Sequence, residues 1–430
     1  MGYRRILAAA AAFAMMGTAF SCGKGKTETS EVTDSSIVSE DTTDESGKSG
    51  TSDIKEKADK KTTTKAKDKS DKDTTTTKAD KTSSAVTTTK KADSSGGSSS
   101  GSNSTGGSSS GGGSSEGQAG EEVKEYTAEV TLGSSTTVKG SNVTVNGSVI
   151  TVTGAGDFIF TGTLSNGQIV VKTGAAATDD KVTVVLNGVD ITNPDGPAIL
   201  IDEAKRCTVK PKDGSVNYLT SDVSKKDTTN GAIFSNDTLR LKGNGELNIT
   251  ANNAHGITSD DDVIIESGTY NITSRKSGII ANDDITINDG TVNIKAGTNG
   301  IKSKGTLNIN GGYTEISGGT KEEKSSIYAA GSFNYTNGYL YAAGNKVTPP
   351  TNSDYPFVVA DLVDTYEGGS TAEIFLNGGL VVSMQPHNNF RCLLMLSPDI
   401  VNGSSFYTVV NGERSADFTV GRGMNEFKMK

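Results

Sequence analysis

The stretch GITSDDDVIIESGTYNITSRKS (256–277) and its successor GIIANDDITINDGTVNIKAGTN (278–299) are two renderings of one pattern. Each opens on Gly-Ile, passes an acidic turn and carries an apolar alternation (Val263/Ile265, Ile285/Ile287). Each then turns at a glycine (Gly268, Gly290) and closes on a second alternation (Tyr270/Ile272, Val292/Ile294). The plan extends outward: Gly231-Ala-Ile233 comes before, Gly300-Ile301 after, and Ser326-Ile327 opens a fifth unit. From Ile233 the opening isoleucines lie 24, 22, 22 and 26 residues apart. Three short apolar runs per unit leave no room for the ~10-residue amphipathic segments of a helical repeat. They predict one coil of a right-handed parallel β-helix, in which alternate residues point inward and each coil buries the face of the next.

Working outward, Val143-Thr-Val, Val149–Val152, Phe158–Phe160 and Val182–Leu186 read as further strands. Beyond about Thr348 the repeat is lost, but alternation resumes at 372–376, 380–382 and 406–410, which predicts a strand-rich cap over the open end. The fold class is therefore all-β, with a β-helix over 123–347 and a C-terminal β cap over 348–430. Before it, residues 21–125 contain no Leu, Met, Phe, Tyr or Trp. Such a segment cannot bury enough apolar surface to offset the entropy of ordering, so 23–122 is expected to be a disordered linker, first Lys/Thr/Asp-rich and then Gly/Ser-rich. Its ~100 residues would span roughly 50–60 Å as a flexible coil.

The N-terminus has the form of a signal peptide: Arg4-Arg5, an apolar run from Ile6 to Phe20, then Ser21-Cys22. Ala19-Phe20-Ser21-Cys22 resembles a bacterial lipobox, so residues 1–22 are expected to direct export and Cys22 to carry lipid. That places the protein at the cell surface, anchored to the membrane. The other cysteines, Cys207 and Cys392, are expected to be two buried thiols rather than a disulfide. The net charge of −9 argues against nucleic acid as a partner. With only His255 and His387, histidine-dependent catalysis and His-rich zinc sites have little material.

Val184-Val-Leu-Asn-Gly188, Gly214-Ser-Val-Asn-Tyr-Leu219, Gly231 through Leu239, the coil starts at Gly256 and Gly278, and Leu396-Ser-Pro-Asp-Ile400 followed by Tyr407-Thr-Val409 together resemble a known family. It is the bacterial carbohydrate-binding β-helix family of clostridial cellulose- and polygalacturonate-binding type, related in fold to pectate lyases. The resemblance covers roughly 126–430. It implies calcium and plant cell-wall polysaccharide as ligands; the leading expectation is a noncatalytic binding protein, and a monomer.

Aligned coils stack one turn: Asn236-Asp237-Thr238, Asp260-Asp261-Asp262, Asn282-Asp283-Asp284 and Lys304-Gly305-Thr306. Asp237, Asp261 and Asp283 form a column ~4.8 Å per step, with Asp262 and Asp284 beside it and Asp260 and Asn282 before it. Such a set of hard oxygens suits Ca²⁺, and it equally suits tight turns, where Asp and Asn bond nearby backbone. Family members often place an acid before the coil-opening glycine; here those positions are Asn230, His255, Ser277 and Asn299, which implies fewer or weaker sites. Asn248, Asn271 and Asn293 align as an amide ladder. Tyr313, Tyr339 and Tyr341 are expected to form an outward strip on which sugar rings stack. Lys302, with Lys304, Arg275 and Lys276, can meet uronate carboxylates. The rival functions are a calcium-dependent lyase using Lys302 or Lys304 as base, and an adhesin with a protein partner.

Overall fold

The computed structural model describes residues 125–429, apart from 175–180, 224–227 and 322–323. The signal peptide, Cys22 and the linker to residue 122 lie outside the described residues. Among the described residues every helix or strand assigned is a strand.

The coil-opening isoleucines do form a column. Ile150, Ile169, Ile199, Ile233, Ile257, Ile279, Ile301 and Ile327 lie opposite one another on successive parallel strands, each fully buried. The units legible from Ile233 onward thus belong to a solenoid of about eight turns. Its first coils do not announce themselves because Ile150, Ile169, Ile199 and Ile233 are 19, 30 and 34 residues apart, and no fixed period survives loops so unequal. Two more columns complete the core. Cys207, Leu239, Val263, Ile285, Leu307 and Phe333 line the second face. Leu219, Ile249, Ile272, Ile294, Ile316 and Ala342 line the third. Burial of each Leu, Ile or Val is worth about 1.5–3 kcal/mol, so stability accrues coil by coil.

In the early coils the second and third faces are one bent strand, Lys181–Asn193. Its bend falls at Gly188 (φ +73°), where the buried Asn217 accepts from the amides of Gly188 and Val189 at 2.9 and 3.1 Å. Later coils break this run in two at a glycine, and the corner becomes a turn that opens to solvent.

At the far end the chain does more than close the solenoid. Phe390–Leu396 pairs antiparallel with Tyr339–Gly344 of the last coil and with Phe357–Tyr366, which also carries Met424–Lys428. A separate antiparallel sheet is built on Ala372–Leu376, flanked by Gly379–Met384 and Ser405–Val410. A second apolar core, holding Tyr341, Ala343, Val358, Leu393, Met395, Ile374 and Phe406, joins these strands. The expected cap is thus a small two-sheet unit with a core of its own. Both described cysteines are free thiols, but only Cys207 is fully buried; Cys392, expected to be buried too, is half-buried. Burial, and then Asp237, pushes the Cys207 thiol up to about 12.

Candidate functional site

The acidic turn joins the first face to the second. Four of its side chains are already engaged. Asp237 accepts from the Ala204 amide at 2.9 Å, Asp262 from the Asp284 amide at 3.0 Å and Asp284 from the Thr306 amide at 2.6 Å. Asp260 accepts from the Asn282 side-chain amide at 2.9 Å. These bonds tie each coil to its neighbour, which is what short acidic side chains do at turns. Asp261 and Asp283 differ: their carboxylates accept no hydrogen bond among the described residues. Burial and then the charges of Asp237, Asp283, Asp262 and Asp260 push the Asp261 carboxyl above its ordinary value. Among the described residues no three His, Cys, Asp or Glu side chains converge as ligands of one metal ion. The donor chemistry suits a hard cation; a ready-made carboxylate cage is not present.

The tyrosine strip is corrected by the cap. Tyr339 is 36% exposed, but Tyr341, which shares its outward parity, is only 2% exposed. The strand Phe390–Leu396 continues the sheet past Tyr341, placing it opposite Met395 within the second core. Tyr313 is half-buried: its ring lies 5.7 Å from that of Tyr341 and its hydroxyl donates to Glu315 at 3.2 Å. Sequence parity alone could not show this, because the covering strand arrives from fifty residues downstream.

Tyr313 and Tyr339 nonetheless belong to a site. They stand in register on adjacent coils and line one side of a groove of about 600 Å³ at the corner between the second and third faces. The same column supplies Thr269 and Thr291. Asn244, Ser267, Asp289 and Asn337 add polar groups to the lining, and the stacked turn glycines Gly268, Gly290, Gly312 and Gly338, with Gly311, make its floor. Those glycines are required. At Gly290 (φ +104°) an added Cβ would sit 2.7 Å from the Gly268 carbonyl oxygen, and at Gly312 (φ +76°) 2.5 Å from that of Gly290. No side chain larger than hydrogen fits, so the corner stays open along several coils. Burial and then the nearby Asp399 carboxylate of the cap push the Tyr339 hydroxyl above its ordinary pKa. The repeat had shown these glycines only as turns, not that stacking them hollows a groove.

Lys302 does not join this groove. It lies on the first face, where its ammonium sits 5.9 Å from the centre of the Tyr328 ring. Lys304, Arg275 and Lys276 are also absent from the groove lining. The asparagine ladder is present: Asn271 donates to Asn248 at 3.0 Å and Asn293 to Asn271 at 2.9 Å. A second ladder, Asn308–Asn334–Asn352, and a third through Glu266, Asn288, Asn310 and Thr336 were not picked out from the repeat. The exposed Tyr218 and Tyr328 carry no repeat signal, because their neighbours in register, Asn248 and Lys302, are not aromatic.

Residues 146–357 match the sequence model of the family described as carbohydrate-binding domain-containing protein. A carbohydrate-binding domain-containing protein of Acetivibrio thermocellus is 35% identical over 124 residues, 27% of this chain; the chain spans 42% of that relative's length. A solved structure described as a polysaccharide lyase-like protein from C. thermocellum, a gadolinium derivative, is 23% identical. The match covers 53% of this chain and 98% of that one, at a TM-score of 0.44. Residues 146–357, which hold the coils and the groove, are thus similar to a carbohydrate-binding domain family over just under half of the chain.

Proposed function

We propose that this is a noncatalytic carbohydrate-binding protein of the cell surface, whose glycine-floored groove takes an extended, uncharged stretch of plant cell-wall glycan such as cellulose. The groove carries this reading. From the Gly268 rung to the Gly338 rung it runs for three coil steps, about 15 Å, enough for several sugar rings. Tyrosine rings on one side offer apolar faces for pyranose stacking, and Asn244, Asp289 and Asn337 offer hydroxyl partners. A few polar groups set beside aromatic surface are typical of small-molecule sites. Among the described residues no Lys, Arg or His lines the groove. That composition supports a neutral ligand over a uronate. Binding rather than lyase chemistry is supported by the description of the matching family as carbohydrate-binding.

Calcium is a second part of the proposal. Asp261 and Asp283 are the acids available to it, and turn carbonyls and water would complete a coordination of 6–8 oxygens. Lipid on Cys22 and the linker would hold the domain clear of the membrane.

The test is retention of the full chain on cellulose, xylan and polygalacturonate, with calcium and then with EDTA, following ultraviolet absorbance for unsaturated product. Cellulose retention without product is expected, and Tyr339→Ala should weaken it about fivefold or more, as loss of an aromatic anchor does. Absence of retention on every glycan would overturn the carbohydrate reading and favour an adhesin. Accumulating unsaturated product would instead identify a lyase.

A further inference from the structure

Asparagine followed by glycine is a reactive pair. The glycine amide nitrogen can attack the preceding side-chain carbonyl and expel ammonia, and the glycine has no side chain to obstruct the approach. The chain holds eleven such pairs, so what separates them is how each glycine amide and each asparagine side chain is engaged. In six the amide is tied elsewhere: Gly167 donates to the Thr192 carbonyl at 3.2 Å, Gly188 to the Asn217 side chain at 2.9 Å and Gly231 to the Thr229 carbonyl at 2.9 Å. Gly245, Gly300 and Gly403 donate to the carbonyls of Pro211, Ser326 and Val420 at 3.3, 2.8 and 2.8 Å. In three more the side chain is held by another group. Asn310 donates to Asn288 at 3.0 Å, and Asn377 and Asn411 accept from the Ser405 and Thr371 amides at 2.9 and 3.0 Å.

Asn337-Gly338 is arranged the other way. The Gly338 amide donates to Oδ1 of Asn337, the residue it would attack, at 2.9 Å. That bond holds the nitrogen against the side-chain carbonyl and polarises its carbon. Holding two reacting groups in contact is what speeds an intramolecular step. The turn is fixed on both sides: the Thr336 amide donates to the Ile309 carbonyl and the Tyr339 amide to the Gly312 carbonyl, each at 2.9 Å. Asn337 is exposed, so water reaches the product.

A second observation comes from the same position two coils earlier. There the pair is Asp289-Gly290, and the Gly290 amide donates to Oδ1 of Asp289 at 2.7 Å. The contact is therefore a property of the corner turn and not of one side chain. An acid already occupies this position in the fold, so the product of reaction at Asn337 is one that the turn accepts.

We propose that Asn337 is a self-modifying site, at which the folded corner converts the side-chain amide to a carboxylate. The Gly338 nitrogen loses its proton to solvent hydroxide and bonds to Cγ of Asn337. The bond from Cγ to Nδ2 then breaks, and that nitrogen takes a proton and leaves as ammonia. Water opens the resulting five-membered imide at either carbonyl, giving aspartate or isoaspartate. Solvent is the only other reactant, and no oxidant or reductant is consumed. Asn337 lines the groove, so the change exchanges a hydrogen-bond donor there for a negative charge as the protein ages. The chemistry is independent of what the groove binds.

The test is incubation of the full chain in mildly alkaline buffer, followed by peptide mapping. Mass spectrometry reads the exchange of amide nitrogen for oxygen at each asparagine, and isoaspartate-specific enzymatic methylation reads the second product. The same chain in guanidinium chloride gives the rate of each site without the fold. Asn337 should convert at least fivefold faster folded than unfolded, whereas Asn187, Asn244 and Asn299 should convert at least fivefold more slowly. Asn146, at an exposed hairpin tip, makes no such bond to Gly147 among the described residues and should fall behind Asn337. Asn337→Gln must close a six-membered ring and should abolish methylation of this peptide, with a thermal midpoint matching the wild type. An Asn337 that stays intact in the folded chain, or that converts no faster folded than unfolded, overturns the proposal. Methylation of the same peptide persisting in Asn337→Gln overturns it as well.

Discussion

Tyr339 and Tyr341 lie two residues apart on one strand, with the same parity, and have opposite fates. Tyr341→Ala removes a ring from the second core and is expected to cost about 3–5 kcal/mol, whereas Tyr339→Ala should cost little stability and act on glycan retention. Urea midpoints beside retention assays will separate the two effects. Asp261 gives a pH-dependent counterpart. Because its folded-state pKa is raised, the folded chain holds this proton more tightly than the unfolded chain does. The stability from the neutral form is present at low pH and lost as pH rises through the ordinary carboxylate range. Asp261→Asn should therefore stabilise the protein at pH 7 in chelator, by about 0.5 kcal/mol after allowing for solvent screening, and lose that advantage near pH 4. Millimolar calcium should reverse the order at pH 7 if the ion bridges Asp261 and Asp283. An unchanged order would remove calcium from this turn.

At the scale of elements, the ladders and the corner turns follow from the same fact. Parallel coils in register place like residues on top of one another, so whatever one coil puts at a position becomes a row. A row of asparagines is favourable because each amide both donates and accepts. Asn271 donates to Glu246 and Asn248 and accepts from Asn293. Replacing it with Ala strands those partners and should cost about 1 kcal/mol; Asp at the same place sets a second carboxylate beside Glu246 and should cost more. Chemical denaturation of the two variants will rank them. A row of aspartates is unfavourable unless each finds an amide or a cation, and the acidic turn shows the first solution at Asp237, Asp262 and Asp284. A row of glycines has no side chains at all, which is why the corner is hollow.

For the whole molecule, the cap matters beyond closing an end. The strand Phe390–Leu396 satisfies the exposed edge of Tyr339–Gly344 and covers Tyr341 and Ala343. Removing 348–430 would leave both an unpaired edge and an apolar face. The truncated chain is expected to self-associate, seen as higher oligomers or insoluble material by size-exclusion chromatography. A soluble monomeric truncation would show that the coils are self-sufficient and that the second core is an addition.

The coils could be read from the chain because a solenoid's core is local: each coil buries its face against coils about 22 residues away, and the isoleucine spacing records that directly. The asparagine ladder was equally open to reading, since it needs only register. By itself, then, the sequence determined a stacked β architecture, its period from Ile233 onward, and the identity of the rows. Tertiary structure decided what those rows face. That Tyr341 is sealed while Tyr339 is open depends on a strand fifty residues away. That Gly268 to Gly338 hollow a groove depends on the angle of the corner. Contacts of that kind leave no local pattern, because they are set by how the coils and the cap meet.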